Sequence, residues 1–295
     1  MKNLSQQAQG FIYAVLAFSF WGLVPIYFKA LSSVTPTEVL SHRIIWSVLF
    51  LFGILVFTKQ LAAFKLLVRD IHKIKYLVFS SLLVSTNWLV FIWAVSNNMI
   101  TESSLGYYIN PLVNFALGII VFKDRPSAAQ IVAIALAFLA IVYQVIMIGS
   151  LPIVSLALAF SFAFYGLIRK KVNLPSVSGL YIETLILFPI AFFYFTYLLY
   201  TEQSAFTFPA LDGVSILLLL AGVITVVPLL WFNAAATKIS LIHIGFFQYI
   251  GPTISFCLAV FVYDEPFDTQ KLITFILIWT ALFIFSVDAY RRRKK

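Results

Sequence analysis

Ten apolar stretches follow one another along this 295-residue chain, with only short polar segments between them. A helix needs about 20 apolar residues to cross the hydrocarbon core of a bilayer. The stretches lie near 10–28, 38–57, 76–96, 103–122, 128–148, 152–168, 178–200, 213–232, 240–262 and 270–288. They show no period-two alternation, and backbone groups in lipid must be paired internally. We therefore predict an all-α polytopic membrane protein. Hydrophobic side chains make up 62% of the chain and charged ones 11%, which is too apolar for a water-soluble domain.

The basic residues predict how these spans are oriented. With the N-terminus in the cytoplasm, 17 of the 20 Lys and Arg residues fall in cytoplasmic segments, the last five of them at 291–295. Lys29 and Lys271 fall outside, and Arg43 lies within the second span. An odd number of spans would place the basic tail outside, so the charge asymmetry requires an even number. With ten spans we expect both termini in the cytoplasm, in a bacterial inner membrane. The net charge of +9 is thus a topology signal and predicts no nucleic-acid partner.

The two halves of the chain resemble each other. GYYINP at 106–111 has a counterpart in FQYIGP at 247–252, and the apolar segments that follow also match. Five spans separate the copies, so the second copy crosses the membrane in the opposite direction to the first. Chance similarity between apolar helices is the alternative. We expect two inverted five-helix repeats, over 1–148 and 149–295, which is the arrangement common in secondary transporters.

Three motifs carry a resemblance to a known family: SHR at 41–43, ESSLGYYINPL at 102–112, and GFFQYIGPTISF at 245–256, followed by DEP. With them the chain resembles the RarD-type permeases of the drug/metabolite transporter superfamily, also called EamA-type, over nearly its whole length. The resemblance implies ten helices, cytoplasmic termini and a permease role, without defining a substrate. Asp124 and Arg125 depart from the Glu that the superfamily often has after the fourth span, whereas Glu265 keeps the pattern.

Polar side chains at membrane depth are costly, so they normally face a bundle interior or a water-filled cavity. In the fourth span small and amide residues recur every four positions from Gly106 to Gly118, and the ninth span carries a similar stripe from Gln248 to Ser255. We expect the stripes to face each other across a pseudo-two-fold axis. The alternative is that they only permit close helix packing. The candidate substrate-binding residues are Tyr108, Asn110, Asn114, Gln248, Tyr249 and Ser255.

Four residues are candidates for coupling or gating: Arg43, Glu102, Glu183 and His243. Arg43 and Glu183 are repeat equivalents inside the second and seventh spans. Each lies about five residues below its own membrane surface, on opposite sides. At about 1.5 Å per residue in a hydrocarbon core of about 30 Å, about 15 Å of depth separates them. They are not expected to pair with each other. We expect Arg43 near Glu102 and Glu183 near His243. The alternative is that Arg43 reaches outward to the membrane surface and Glu183 hydrogen-bonds a neighbouring helix.

The sequence favours a secondary transporter that moves a small metabolite or drug-like molecule by alternating access, coupled to a proton or solute gradient. It contains no nucleotide-binding glycine loop, no cofactor motif and no pair of residues with metal-ligand spacing, and its three histidines are scattered. A membrane-embedded enzyme would need such residues. The remaining alternative is a structural or lipid-scrambling protein, whose polar residues would spread along an open groove. The expected partners are a small-molecule substrate and the lipid bilayer.

Overall fold

The computed structural model contains helices and no strand in the residues that it describes, which are 4–96, 100–148, 153–209, 211–262 and 269–293. The helices are α1 (Gln6–Ala30), α2 (Pro36–Phe57), α3 (Leu61–Val68), α4 (Ile71–Ser96), α5 (Ile100–Phe122), α6 (Ala128–Ile148), α7 (Ile153–Val172), α8 (Ser176–Tyr200), α9 (Gly213–Ala236), α10 (Leu241–Gln248), α11 (Ile250–Phe261) and α12 (Thr269–Arg293). The ninth predicted span comprises α10 and α11, and α3 is a short additional helix. The all-α fold with ten membrane helices is therefore confirmed.

Length and composition qualify seven of these helices to cross a membrane: α1, α2, α4 and α6 to α9. Two more, α5 and α12, contain shorter apolar segments, Gly106–Phe122 and Leu272–Asp288. Large apolar side chains remain exposed on the outside of the bundle, among them Ile120, Ile190 and Phe193, each more than 70% exposed. Such a surface suits lipid and not water.

Several helices begin where the sequence offers a side chain that caps the free backbone N–H groups. Ser5 Oγ accepts a hydrogen bond from Ala8 N at 3.1 Å at the start of α1. The Asp212 carboxylate accepts from Ser215 N at 2.7 Å at the start of α9. Pro36 begins α2, where its missing N–H costs nothing. These residues place the helix ends close to where the apolar stretches begin.

The ninth span is broken because of Pro252. Proline has no N–H, so the carbonyl four residues earlier, that of Gln248, loses its usual helical donor. The helix α10 ends at Gln248, and α11 starts at Ile250, which puts Pro252 in the tolerated first turn of α11. Gln248 is thereby held at the end of a short helix in the interior of the bundle, where it is 6% exposed.

Close helix contacts rest on glycine. A Cβ at Gly222 on α9 would lie 2.5 Å from the backbone carbon of Trp46 on α2. A Cβ at Gly245 on α10 would lie 2.8 Å from the carbonyl oxygen of Pro111 on α5. Small residues let membrane helices approach closely enough for dispersion contacts and hydrogen bonds to hold them.

The helix pairs follow a pattern that is preserved when the two halves of the chain are exchanged. The pair α5–α7 corresponds to α11–α1, and α4–α7 corresponds to α9–α1. The pairs α2–α8, α6–α12 and α5–α10 each join one helix to its own counterpart. The division of the chain into halves at residue 148 stays a prediction.

Candidate functional site

An amide cluster, defined here as Asn110, Asn114 and Gln248, joins three helices inside the bundle. Asn114 Nδ2 donates to Asn110 Oδ1 at 2.8 Å and also to Gln248 Oε1. Asn110 Nδ2 donates to the carbonyl oxygen of Ala159 on α7 at 2.6 Å. All three amides are 6% exposed or less. The structure thus brings together amides from both sequence stripes, and their contact with a substrate stays a prediction.

One buried polar atom of Asn114, its Oδ1, accepts no hydrogen bond from the described residues. Both hydrogen-bond contacts of this side chain use Nδ2. Gly166 on α7 faces this oxygen, and even a Cβ there would lie 4.0 Å away. A buried acceptor without a donor is costly, so it indicates a place where a donor from another molecule would be stabilised.

The other three candidate binding residues lie apart from the amide cluster. Tyr249 OH donates to the carbonyl of Tyr108 at 3.4 Å, and the two rings stack within an apolar cluster shared with α6 and α12. On α5, Tyr108 is turned about 160° away from Asn110, because successive residues rotate by about 100°. Ser255 Oγ donates to the carbonyl of Gly22 at 3.1 Å, between α11 and α1. Each of these side chains contacts neighbouring helices, so their role in binding stays a prediction.

Glu183 lies at the end of the bundle where α7 is joined to α8. Its Oε1 accepts a hydrogen bond from Ser80 on α4 and lies 3.7 Å from Arg169 Nη1. Tyr165 OH donates to Oε2 at 3.4 Å and is itself 3.1 Å from the amide of Asn233 on α9. Four helices meet in this Glu183 site, which we define by Ser80, Tyr165, Arg169, Glu183 and Asn233. All five side chains are 2% exposed or less.

The expected pair of Glu183 with His243 is wrong. His243 Nδ1 is 2.6 Å from Ser240 Oγ, and its ring packs against Phe11 and Phe285. Glu183 instead pairs with Arg169, because only residues 173–175 separate α7 from α8 and bring the last turn of α7 to the depth of Glu183. The expectation that Glu183 hydrogen-bonds neighbouring helices agrees with its contacts to Ser80 and Tyr165.

Arg169 is the functional candidate that sequence reasoning missed. The charge distribution assigns it to a cytoplasmic segment with Lys170 and Lys171, yet it is 2% exposed. Gly179 on α8 makes room for it, since a Cβ there would overlap Arg169 Nη1. The signal in the sequence is the hairpin itself: an arginine just before a short connection, followed by an acid about two turns into the next helix.

Arg43 lies at the opposite end of the bundle, where α1 is joined to α2. Its Nε donates to Thr225 Oγ1 at 2.9 Å. Thr225 is twelve residues into α9, about 18 Å along that helix, so the guanidinium points toward the middle of the membrane. The alternative that Arg43 reaches outward to the surface is therefore wrong. The side chain of its expected partner, Glu102, lies outside the residues whose side chains are described.

The Arg43 and Glu183 positions are well separated. Trp88, under the Arg43 guanidinium at 4.6 Å, and Ser80, bonded to Glu183, are eight residues apart on α4. This spacing corresponds to about 12 Å along the helix. The amide cluster belongs to α5, α7 and α10, so buried polar groups occupy three different parts of the bundle.

Comparison with known proteins gives a consistent result. The EamA-like transporter family matches residues 8–146. "Protein RarD" of Salmonella typhi is 46% identical over 294 residues, covering 99% of this chain and 100% of that protein. "Protein RarD" of Escherichia coli (strain K12) is 44% identical, with 99% of each chain covered. An "Uncharacterized transporter" of Vibrio cholerae is 44% identical and covers 96% of this chain and 93% of its own.

A solved crystal structure supports the fold independently. It superposes with a TM-score of 0.71 and covers 97% of this chain and 100% of its own, at 14% sequence identity. That likeness shows the fold alone. The full-length similarity to the RarD proteins shows more: this multi-pass bacterial membrane protein belongs to the EamA-like transporter family and, within it, to the RarD-type proteins.

Proposed function

We propose that this protein is a secondary transporter that moves a small molecule across the bacterial inner membrane by alternating access. The amide cluster is the observation that carries the proposal. It joins α5 of the first half of the chain to α7 and α10 of the second half, and it leaves Asn114 Oδ1 as a buried acceptor. Transporters built from inverted repeats place their substrate site near the midplane, at the interface of the repeats.

The Glu183 site offers a gate for alternating access. Its five side chains are buried, and the Glu183 carboxylate is held by hydrogen bonds from Ser80 and Tyr165 and by its 3.7 Å ion pair with Arg169. We assign the Glu183 site as the closed gate of this conformation, which opens when the Arg169–Glu183 pair separates.

Protonation of Glu183 is a simple way to open this gate. A neutral carboxylic acid no longer attracts the Arg169 guanidinium, and one partner of a buried pair without the other is costly. The arrangement therefore links proton binding at one end of the bundle to a change in packing of α4, α7, α8 and α9. This step is part of the proposal and gives it a proton-coupled form.

The test is a screen of solute uptake into proteoliposomes with imposed pH and solute gradients, with empty liposomes as the control. Transport predicts at least one solute that accumulates only with protein, and Glu183→Gln should exchange that solute between equal pools while losing its response to the pH gradient. Unchanged pH dependence in Glu183→Gln contradicts the proton step. Transfer of fluorescent lipids between leaflets, without uptake of any solute, contradicts transport and favours the lipid-scrambling alternative.

A further inference from the structure

The guanidinium of Arg43 is a cation inside the membrane with part of its hydrogen-bonding capacity unused. Its Nε is bonded to Thr225, and its two Nη atoms make no hydrogen bond to any residue that the structure describes. The side chain is 8% exposed. A guanidinium has five N–H donors, so the four on its two Nη atoms remain available.

The described carboxylate nearest to Arg43 along α2 is already engaged elsewhere. Glu38, five residues earlier on α2, accepts hydrogen bonds from Ser204 Oγ and from the backbone N of Ala205, both at 2.7 Å. It thereby anchors the connection between α8 and α9. The repeat equivalent of Arg43 is Glu183, which has its counter-ion in Arg169. In the described part of the chain the first half therefore holds a lone cation where the second half holds an ion pair.

Aromatic rings hold the guanidinium in place without neutralising it. Its central carbon lies 4.6 Å from the ring centre of Trp88 and 5.5 Å from that of Phe28. Phe28 contacts Phe91, and Phe91 contacts Tyr107, at ring-centre distances of 5.9 and 5.7 Å. Stacking of this kind fixes the plane of the guanidinium and leaves its edge free.

Arg43 lies inside the bundle. The residues around its guanidinium come from α1, α2, α4, α5 and α9, so it is enclosed by helices of both halves. Tyr107 on α5 interacts electrostatically with Arg43. A guanidinium that has apolar rings beside it and no counter-ion among the described residues suits an amphipathic anion.

We propose that Arg43 is the anion-recognition residue of the transport path and that the substrate class is small organic carboxylates with an apolar or aromatic body. The two Nη atoms match the two oxygens of a carboxylate, and Phe28, Phe91 and Tyr107 contact the apolar part. The inference rests on the proposed transport function, whose substrate it specifies. A bound carboxylate supplies a negative charge that the described residues around Arg43 do not provide.

The test measures binding to the purified full-length protein in detergent, from the shift in thermal midpoint and from quenching of tryptophan fluorescence. The probes are phenylacetate and hexanoate, each beside its uncharged amide, phenylacetamide and hexanamide. Wild type should bind each acid at least about tenfold more tightly than its amide, since a charged hydrogen-bond partner is lost in the amide. Equal binding of acid and amide, or no binding of either acid, overturns the proposal.

Two variants distinguish the contribution of the planar guanidinium geometry of Arg43 from that of its positive charge. Arg43→Gln should abolish the preference for the acid, and Arg43→Lys, which keeps the charge but not the planar fork, should weaken binding of the acids without improving that of the amides. Lys29→Gln, at the end of α1, removes a cation from the same end of the bundle and should bind as wild type. Wild-type preference for the acids in Arg43→Gln overturns the proposal, and Arg43→Lys serves as the decisive variant if Arg43→Gln fails to fold.

Counterflow of labelled phenylacetate in proteoliposomes distinguishes a failure of this inference from a failure of the proposed transport function. Acid binding that depends on Arg43 but is accompanied by no transport of any solute supports the site and contradicts the transporter. Transport of a neutral or cationic solute at the same rate in wild type and Arg43→Gln supports the transporter and overturns the carboxylate site.

Discussion

At the scale of single residues, the buried amides and the buried ion pair are the features with the most direct consequences. An interhelical hydrogen bond in a membrane contributes only about 0.6 kcal/mol on average. One amide can therefore be removed without unfolding a bundle held by ten helices. A role in substrate contact and a role in packing then predict different results.

Asn110→Leu and Gln248→Leu should each lower transport at least about fivefold, because one hydrogen bond to the substrate of about 1 kcal/mol is lost. The yield and thermal midpoint of the purified protein should stay near those of wild type. Thr196→Ala, which removes only an exposed hydrogen bond within α8, is the control and should transport as wild type. Loss of folding in step with loss of transport would favour the packing alternative.

Gly179→Ala should displace Arg169 and break its pair with Glu183, since the added Cβ would occupy the place of Arg169 Nη1. Breaking a buried pair is strongly destabilising, by about 3 kcal/mol or more. We expect a lower thermal midpoint and transport that no longer responds to pH. Gly53→Ala is the matched control, because a Cβ there meets no atom within 4 Å. Equal behaviour of the two variants would show that the Arg169 position tolerates displacement.

Asp124, in the connection after α5, predicts a pH dependence of stability. Partial burial raises the pKa of its carboxyl above the usual 3.8, although Lys170 opposes the shift. The folded protein therefore holds this proton more tightly than the unfolded chain, and stability falls as pH rises from 3.8 through the raised pKa. Asp124→Asn, which cannot titrate, should gain in thermal midpoint relative to wild type between about pH 4 and pH 7.

Asp70 supplies the control of opposite sign. The hydrogen bonds and charge of Lys73 lower the pKa of this partly exposed carboxyl, so its contribution to stability is present above the unfolded pKa and is lost at acid pH. Relative to wild type, the thermal midpoint of Asp70→Asn should fall, not rise, as pH increases. The same direction of change in both variants would contradict the assignment of the Asp124 shift.

At the scale of helices, α7 and the broken ninth span do most to position the amide cluster. The small residues of α7 expose the carbonyls of Leu158 and Ala159 to side chains from neighbouring helices, and these carbonyls accept from Asn87 on α4 and Asn110 on α5. On the other side of α5, Gln248 reaches Asn114 from the end of α10. The cluster thus depends on where α10 stops.

Pro252→Ala restores the N–H that lets α10 and α11 continue as one helix, and it should turn Gln248 away from Asn114. We expect transport to fall several-fold while the thermal midpoint is unchanged or higher, because alanine is a better helix former. Pro189→Ala on α8 is the control, as Pro189 is exposed on the outside of the bundle. Wild-type transport in Pro252→Ala would show that the break is not needed.

At the scale of the whole molecule, the orientation in the membrane remains a prediction from the charges of the connecting segments. The segments 58–75 and 169–175 are rich in Lys and Arg, whereas the connection at 201–212 carries Glu202 and Asp212. Positive residues are retained in the cytoplasm during insertion, so the α7–α8 end should face the cytoplasm and the α1–α2 end the outside.

Labelling of single cysteines with a membrane-impermeant maleimide checks this orientation. The native Cys257 is first replaced by Ala, and cysteine is then introduced at Gln203 or at Lys171, both exposed. Gln203→Cys should react in intact cells, and Lys171→Cys only after lysis. Labelling of Lys171→Cys in intact cells would invert the topology and place the Glu183 gate on the outside.

The sequence by itself determined the fold class, the number of spans and the family, because these depend on properties that are local in the chain. About twenty apolar residues must form a helix in lipid wherever they occur, and a motif such as GYYINP is recognisable without coordinates. The contact of Asn114 with Gln248 was also within reach, since an internal repeat implies a symmetry axis and polar stripes favour the interior.

Only the tertiary structure decided which charges pair. The counter-ion of Glu183 is Arg169, 14 residues earlier, and the sequence equally allowed His243, 60 residues later, because pairing depends on how the two faces of a hairpin turn toward each other. Tyr108 and Tyr249 belong to the packing with α6 and α12 for the same reason, as the rotation of a helix about its axis is set by its neighbours. The inward direction of Arg43 follows from Thr225 on α9, a contact across 182 residues that no local pattern encodes.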